Sequence, residues 1–240
     1  MPVDSEHFSI FYALQGNKIS NIEKIYLTAS GGPLNNIPKI KFKNVKISEA
    51  INHPNWKMGK KISIDSATMM NKVFEIIEAK KIFNLNYDKL DILVHPSSYI
   101  HAIIKFKDGM IKIIAHDTNM IIPISNSLND VEIKTEQLNL KKLNNLNFKK
   151  VDTNKFPSIK IIKKLQNRES LLETIIVLAN DELVNLFLLK KINFTDINKY
   201  LQKLINMKEV INLSQKKPSN ISSIIFLKTT IKKKINKIIY

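Results

Sequence analysis

Two acidic side chains near the start of the sequence have a spacing that suits a shared metal ion. Asp4 and Glu6 are two positions apart, so an extended backbone places both carboxylates on the same side of the chain. Convergent carboxylates repel each other unless a cation lies between them, and their oxygens are ligands that Mg²⁺ or Mn²⁺ prefers. The alternative is that both residues cap the first turn of a helix, where acidic side chains are favoured.

A second group of residues is typical of anion binding. Ser30 follows an apolar run and precedes Gly31 and Gly32. Small residues allow backbone N–H groups to approach an oxyanion, and the serine adds a hydroxyl donor. An ordinary turn is the alternative interpretation.

A third group lies in and after a stretch with helical periodicity. We expect Ser66 to lie near the N-terminus of a helix that begins at Asp65, where unpaired N–H groups favour a phosphate. Asn71, Lys72 and Glu75 then share one sector of this helix, which brings together an amide, a cation and a carboxylate. A surface ion pair between Lys72 and Glu75 is the alternative.

The only tryptophan, Trp56, lies in a predicted loop that is bracketed by Pro54 and Gly59. Such a tryptophan either packs against the core or closes over a ligand, and the sequence alone does not choose between the two.

The elements that must position these residues are both helices and strands. Apolar spacing predicts a helix over residues 6–15 and strands over 24–29 and 90–94. Two further β-rich runs flank Asp108-Gly109, which is a strong hairpin signal. We therefore predict an α+β fold with a mixed sheet and flanking helices.

The second half of the sequence changes character. Residues 131–156 are polar and weakly periodic, and helical patterns follow over 159–165, 171–190, 197–207 and 222–239. This pattern predicts a small helical bundle after a linker. The predicted division is a catalytic domain over 1–130 that binds metal and substrate, a linker over 131–156 and a helical domain over 157–240.

Composition argues against a disulfide-bonded, a secreted and a membrane-spanning protein. The chain has 240 residues, no cysteine and a formal charge of +17, and all but one of its 38 basic residues are lysine. A nucleic-acid reader would be expected to use arginine forks, so we attribute the charge to an A/T-rich genome and keep a basic nucleic-acid-binding protein only as an alternative. The absence of cysteine, of a secretory signal and of a long apolar run predicts a cytoplasmic protein without membrane spans.

Taken together, the motifs resemble 1-deoxy-D-xylulose 5-phosphate reductoisomerase over nearly the whole sequence. The most specific of them is the run from Lys61 to Lys72, followed by Glu75. The other matching segments are Pro2–His7, Leu27–Pro33, His53–Trp56, Met58–Gly59, His95–Pro96, Ile100–His101, Ala179–Glu182 and Phe194–Ile197.

The resemblance implies a role for each matching residue. It implies that Asp4, Glu6 and Glu75 bind the divalent metal, which is Mn²⁺ or Mg²⁺, with Co²⁺ as a further candidate. It implies that the substrate phosphate is held by Ser30, Ser66, Asn71 and Lys72. It places Ser5 at the hydroxyl and carbonyl end of the substrate, His53 in a mobile loop, Trp56 over the substrate and Met58 and Gly59 towards the nicotinamide. Catalysis is then expected to depend on Glu6, Lys72 and His53.

The family rearranges its sugar-phosphate substrate and reduces the product with NADPH, as a homodimer. No dinucleotide motif is present here, so we expect the main NADPH-binding domain to be absent from this sequence. Either that domain is a separate chain, or this sequence is the product of a decaying gene. The sequence also departs from the family at Phe8, Val73, Phe74 and Ile121. An inactive remnant of the enzyme is therefore an alternative, because altered supporting residues can misplace ligands.

Overall fold

The computed structural model describes residues 1–128, 133–135 and 137–240. Its α-helices in chain order are α1 (Ser5–Leu14), α2 (Ile47–Ile51), α3 (Lys60–Ala67), α4 (Met70–Phe83), α5 (Ile121–Ser127), α6 (Leu140–Asn144), α7 (Leu172–Leu188), α8 (Phe194–Ile205), α9 (Lys208–Ser214) and α10 (Ile221–Ile239). Its strands are β1 (Ile22–Ala29), β2 (Leu90–Val94), β3 (Ile100–Phe106), β4 (Ile111–Ala115) and β5 (Lys149–Lys150). Short 3₁₀ helices cover Ile19–Asn21, Lys39–Asn44, Tyr87–Lys89 and Pro157–Lys164.

The five strands form one mixed sheet in the order β4-β3-β1-β2-β5. The central strand β1 pairs in parallel with β2 and antiparallel with β3, and β3 continues antiparallel into β4. The turn between β3 and β4 contains Gly109 at a φ of 90°, a conformation that glycine adopts without strain. The mixed α+β sheet and its hairpin confirm the fold predicted from the sequence.

The chain divides into two compact units. The first unit comprises Met1–Gly32, Pro54–Lys57 and Glu75–Asp152, and it contains the sheet. Helix α1 packs against β3 and β4 in this unit. Its buried side chains Phe8, Ile10 and Ala13 recur at helical spacing and exclude water from that face of the sheet.

The second unit comprises Pro33–His53, Met58–Phe74 and Thr153–Tyr240. It is built around α7, which packs against α3, α8, α9 and α10. The core of the bundle consists of large apolar side chains with little or no exposure, as the binary pattern of these helices predicts. The helical character of this half is confirmed.

Two sequence predictions need correction, and one helix was missed. The helix predicted to begin at Asp65 is two helices, because α3 begins at Lys60 and ends at Ala67 before α4 begins at Met70. The break lies at Met69, whose φ is 61°, a conformation that costs energy for a bulky side chain. The segment predicted as a helix over residues 159–165 is a 3₁₀ helix, and the short helix α9 was not predicted.

The predicted linker over residues 131–156 contains α6 and β5, and β5 pairs antiparallel with β2 at Leu93 and Val94. Residues 131, 132 and 136 of this segment, and residues 129 and 130 just before it, lie outside the described residues. The division into a catalytic domain, linker and helical domain stays a prediction. Among the helices of the described residues, none is long and apolar enough to cross a membrane.

Candidate metal and substrate site

Three carboxylates converge in the first unit. One ligand oxygen from each of Asp4, Glu6 and Glu75 lies within 4.8 Å of the others. Asp4 and Glu6 are partly exposed, whereas Glu75 is only 3% exposed. Like charges at this separation are costly without a cation, so the arrangement suits a hard divalent ion that prefers oxygen ligands. The convergence expected from the sequence is present, although it joins residues almost seventy positions apart.

The N-terminus of α1 fixes the first two carboxylates. Asp4 is the N-cap, and its Oδ1 accepts hydrogen bonds from the backbone N–H groups of Glu6 and His7 at 3.1 and 3.2 Å. The hydroxyl of Ser5 donates a hydrogen bond to Oε2 of Glu6. The helix-cap alternative is therefore also correct, because capping with one oxygen orients the Asp4 carboxylate beside Glu6.

His7 links the two helices that provide the carboxylates, a role that the sequence did not suggest. Its ring is fully buried, and Nε2 lies 2.9 Å from the backbone oxygen of Glu75. A carbonyl oxygen only accepts, so Nε2 carries the proton of this bond. Nδ1 lies 3.3 Å from Oδ1 of Asp4 and 3.6 Å from Oε2 of Glu78. The clue in the sequence was a histidine three positions after Asp4, on the same helical face.

A glycine turn follows β1 at the place where the sequence predicts an anion site. Gly31 and Gly32 have φ values of 87° and 69°, which residues with a Cβ rarely adopt. The N–H of Gly32 donates to Oγ of Ser30 at 3.0 Å, so the turn orients the serine hydroxyl. Ser30 is partly exposed, which leaves it accessible to a ligand.

The predicted phosphate residues of the second unit lie around the break between α3 and α4. Ser66 lies in the last turn of α3 and not at a helix N-terminus, which corrects the expectation from the sequence. Asn71 and Lys72 lie in the first turn of α4, where unpaired N–H groups favour an anion. Lys72 is 7% exposed and Glu75 is 3% exposed, so neither side chain is a solvated surface charge.

His53 lies close enough to Lys72 for their charges to interact. Burial lowers the pKa of His53 below its ordinary value of 6.5, and the positive charge of Lys72 lowers it further. The neutral imidazole is therefore favoured at neutral pH, which allows His53 to accept a proton or a hydrogen bond.

The remaining predicted residues belong to the loop over residues 52–59. Trp56 is half-buried and Met58 is partly exposed. Asn55, which the sequence did not single out, donates from Nδ2 to the backbone oxygen of Pro96 at 2.9 Å and to Oγ of Ser98 at 2.8 Å. These bonds fix the part of the loop next to Trp56. A Cβ built on Gly59 would meet nothing within 4 Å, so there is open space at this position.

A buried polar cluster next to Ser66 was also missed. Asp65 is 1% exposed, and its carboxylate contacts Nζ of Lys61 at 2.7 Å and accepts from Nδ2 of Asn180 at 2.7 Å. Lys61 also pairs with Asp181 at 2.9 Å. Burial raises the pKa of Asp65, and the hydrogen bonds from Lys61 and Asn180 offset only part of that effect. The cluster joins α3 to α7 across more than a hundred residues.

The departures from the family motif are accommodated by packing. Phe8 is 5% exposed and its ring lies 6.0 Å from that of His116, edge to face. Val73 is fully buried, and Nζ of Lys61 lies 5.0 Å above the ring of Phe74. Ile121 is 52% exposed at the start of α5. Three of the four replacements are therefore integrated into the core or its margin.

Family models match both parts of the sequence. Residues 1–83 match the 1-deoxy-D-xylulose 5-phosphate reductoisomerase C-terminal domain, and residues 117–234 match the DXP reductoisomerase C-terminal domain. A mixed sheet with a convergent carboxylate cluster, followed by a helical bundle, defines an α+β protein with a candidate metal site. The chain belongs to the 1-deoxy-D-xylulose 5-phosphate reductoisomerase family.

Relatives and solved structures that are similar to this chain belong to the same family. The chain is 56% identical over 239 residues to the reductoisomerase of Pelagibacter ubique, with 98% of this chain and 62% of the relative covered. It is 41% identical over 229 residues to that of Persephonella marina, with 94% and 60% covered. The chain thus spans about three fifths of the length of these relatives.

Among solved structures, the chain is similar to DOX-P reductoisomerase in complex with NADPH, fosmidomycin and magnesium, with a TM-score of 0.86, 31% identity and coverage of 99% of this chain and 62% of that one. It is also similar to the reductoisomerase of Zymomonas mobilis in complex with NADPH, with a TM-score of 0.85, 32% identity and coverage of 100% and 61%.

Proposed function

We propose that this chain is the metal- and substrate-binding part of a 1-deoxy-D-xylulose 5-phosphate reductoisomerase. The reaction isomerises the substrate and reduces the product with NADPH to 2-C-methyl-D-erythritol 4-phosphate, in the non-mevalonate pathway of isoprenoid synthesis. The observation that carries the proposal is the carboxylate cluster of Asp4, Glu6 and Glu75, whose ligand oxygens lie within 4.8 Å of one another at the positions of the family motif.

The three carboxylates would hold Mn²⁺ or Mg²⁺, with Co²⁺ as a further candidate, because their donor set is entirely hard oxygen. When bound, the ion would polarise the carbonyl and hydroxyl oxygens of the substrate. The Ser5 side chain donates a hydrogen bond to the Glu6 carboxylate and so orients it within the cluster. We assign Ser5 to the end of the substrate that carries the reacting hydroxyl and carbonyl groups. Glu6 then serves both as a ligand and as a group that orients the reacting end.

We assign the substrate phosphate to Ser30, Ser66, Asn71 and Lys72. The glycine turn next to Ser30 supports this role, as does the first turn of α4 with its buried lysine. A lysine that is largely removed from water interacts strongly with a phosphate dianion. In this role Lys72 positions the substrate and balances its charge.

His53 and Trp56 would close over the bound substrate. The lowered pKa of His53 keeps its imidazole neutral, which suits a group that exchanges hydrogen bonds with substrate oxygens. Trp56 would exclude water from the reacting end. Met58 and Gly59 would face the nicotinamide, and the open space at Gly59 is compatible with an approaching ring.

NADPH would be bound mainly by a nucleotide-binding domain that these 240 residues do not include, whether it is joined to them or supplied as a separate chain. We further propose a homodimer in the cytoplasm. Strand β4 is an edge strand of the sheet, and Met110, Ile111 and Ile113 on or next to it are 66%, 54% and 47% exposed. An exposed apolar edge is a natural pairing surface for a second copy.

The test is reconstitution of activity. NADPH oxidation is measured with 1-deoxy-D-xylulose 5-phosphate and Mn²⁺, first with the chain alone and then with the nucleotide-binding domain of a relative added. We expect no turnover by the chain alone and turnover by the mixture. Lys72→Gln should abolish turnover by the mixture, whereas Lys163→Gln, at an exposed lysine, should leave it unchanged.

Each contrary result has a definite meaning. Turnover by the chain alone would contradict the need for a separate nucleotide-binding domain. A mixture that binds Mn²⁺ and NADPH but does not turn over would contradict the proposed activity and would identify the chain as an inactive remnant.

A further inference from the structure

A cavity in the second unit is separate from every residue assigned above. It has a volume of about 580 Å³ and lies between the 3₁₀ helix Lys39–Asn44, the segment at Lys155 and Pro157, and the first turns of α8. This volume is in the range of about 300–1,000 Å³ that small-molecule sites occupy. We refer to it as the α8 cavity.

The floor of the α8 cavity is apolar and well packed. Phe42 and Phe194 line it, are 5% and 2% exposed, and pack edge to face with ring centroids 5.7 Å apart. At its mouth, Ile40 is 85% exposed. An aliphatic or aromatic group of a ligand would remove its own apolar surface and that of Ile40 from water, and this burial is favourable by about 25 cal/mol per Å².

The rim of the α8 cavity is positively charged. None of the described residues that line it is acidic. Four of the lining residues are lysines, namely Lys39, Lys43, Lys155 and Lys199. Lys155 is held in place, because its Nζ donates to the backbone oxygen of Asn35 and lies 5.8 Å from the centroid of the Phe42 ring. A fixed cation at the edge of an apolar floor recognises an anionic group that is attached to an apolar body.

The side-chain amide of Asn198, in the wall of the α8 cavity, suggests that the ligand has polar atoms. Asn198 lines the α8 cavity, and its Oδ1 is buried without a hydrogen-bond partner in the described part of the chain. A buried acceptor without a partner is costly, so it is typical of a place where a ligand supplies the missing bond. A change of the Asn198 side-chain rotamer would turn the amide towards the cavity, where it can bond a ligand hydroxyl through Oδ1 or an anionic oxygen through Nδ2.

We propose that the α8 cavity binds a small amphipathic anion, which has an apolar chain or ring and a phosphate or carboxylate head. The chain or ring lies on Phe42 and Phe194, and the head lies among the lysines of the rim. The inference is independent of the proposed enzymatic function, because none of the metal or phosphate residues lines this cavity.

Calorimetric titration of the full chain with octyl phosphate tests the proposal. The probe is used below its micelle-forming concentration, and excess inorganic phosphate is present to occupy any simple phosphate site. 1-Octanol, which lacks the charge, is the comparison ligand. We expect one site for octyl phosphate per chain and at least about tenfold weaker binding of 1-octanol, which corresponds to about 1.4 kcal/mol.

Variants locate the site. Lys39→Gln combined with Lys43→Gln removes two exposed charges from the rim and should weaken binding of octyl phosphate about tenfold. Asn198→Asp keeps the side-chain size, places an anion in the wall and should also weaken binding. The matched control, Lys203→Gln combined with Lys208→Gln, removes the same charge from exposed positions outside the cavity and should leave the affinity unchanged.

Absence of octyl phosphate binding to the wild-type chain would overturn the proposal. Equal affinity for 1-octanol would also overturn it, because the rim would then have no role. An unchanged affinity in both the double-lysine variant and Asn198→Asp would show that the probe binds elsewhere, with the same consequence.

Discussion

Replacing Lys61 by methionine tests whether the buried Asp65 carboxylate depends on its lysine partner. Methionine keeps an apolar stem next to Phe74 but removes the ammonium group 2.7 Å from Asp65. The carboxylate is then left 1% exposed with the hydrogen bond from Asn180 as its remaining contact in the cluster.

The expected loss follows from the burial of the two partners. Removing one partner of a fully buried ion pair costs about 3–5 kcal/mol, and losing one hydrogen bond to a charged group costs about 1.5–3 kcal/mol. The side chain of Lys61 is 47% exposed, so water replaces part of what it provides to Asp65. We therefore expect Lys61→Met to lower the free energy of unfolding by about 2–3 kcal/mol at neutral pH.

The loss should depend on pH. The pKa of Asp65 in the folded protein lies above its ordinary value of 3.8, chiefly because of burial. Without Lys61 this pKa rises further, and a protonated carboxyl needs no cation. The folded variant then binds a proton that the unfolded chain releases, so its stability increases as the pH falls through the raised pKa of Asp65. The deficit should accordingly shrink in acid.

Urea unfolding followed by circular dichroism, at neutral pH and in mild acid, measures both effects. The control is Lys60→Met, which removes the same charge from the adjacent, exposed position on α3. If Lys61→Met loses no more stability than Lys60→Met, or if its deficit is the same at both pH values, the argument about Asp65 is wrong.

Three further predictions concern His7, His53 and the net charge. His7→Gln should weaken Mn²⁺ binding about tenfold to a hundredfold in calorimetry, because the buried His7 ring lies beside Asp4 and donates to the backbone oxygen of Glu75; unchanged affinity would contradict this role. The wild-type chain should lose stability as the pH falls below 6.5, because the unfolded chain protonates His53 before the folded one does; a His53→Gln variant with the same slope in urea titrations would refute the assignment. Binding to arbitrary duplex DNA should be weak at physiological salt, and a tight complex with a steep salt dependence would favour the nucleic-acid alternative.

Local patterns made much of the first unit predictable from the sequence. Alternation and the Asp108-Gly109 step determine the β3–β4 hairpin, and apolar spacing determines α1. The spacing of Asp4 and Glu6 was enough to pair these two carboxylates, a signal contained within a few residues. The role of Glu75 as a third ligand followed only from the resemblance to the family, because its neighbours in the sequence do not show that it meets Asp4 and Glu6.

Features that depend on tertiary contacts were not predictable. The helix breaks at Met69 although the helical pattern of the sequence continues through this position. The break is stabilised by a hydrogen bond to the backbone oxygen of Thr68 from Ser158, which is ninety residues away. The pairing of Asp65 with Asn180 is equally distant in sequence. Periodicity reports which face of a segment is buried but not what it is buried against, so such partners emerge only from the fold.

The most direct test of the central claim is Mn²⁺ binding to the chain, measured by calorimetry and by the shift in thermal unfolding. We predict one Mn²⁺ per chain, with a gain in stability that Glu75→Gln abolishes and Glu169→Gln, at an exposed loop position, preserves. A wild-type chain that binds no Mn²⁺, or a Glu75→Gln variant that binds it equally well, would contradict the account.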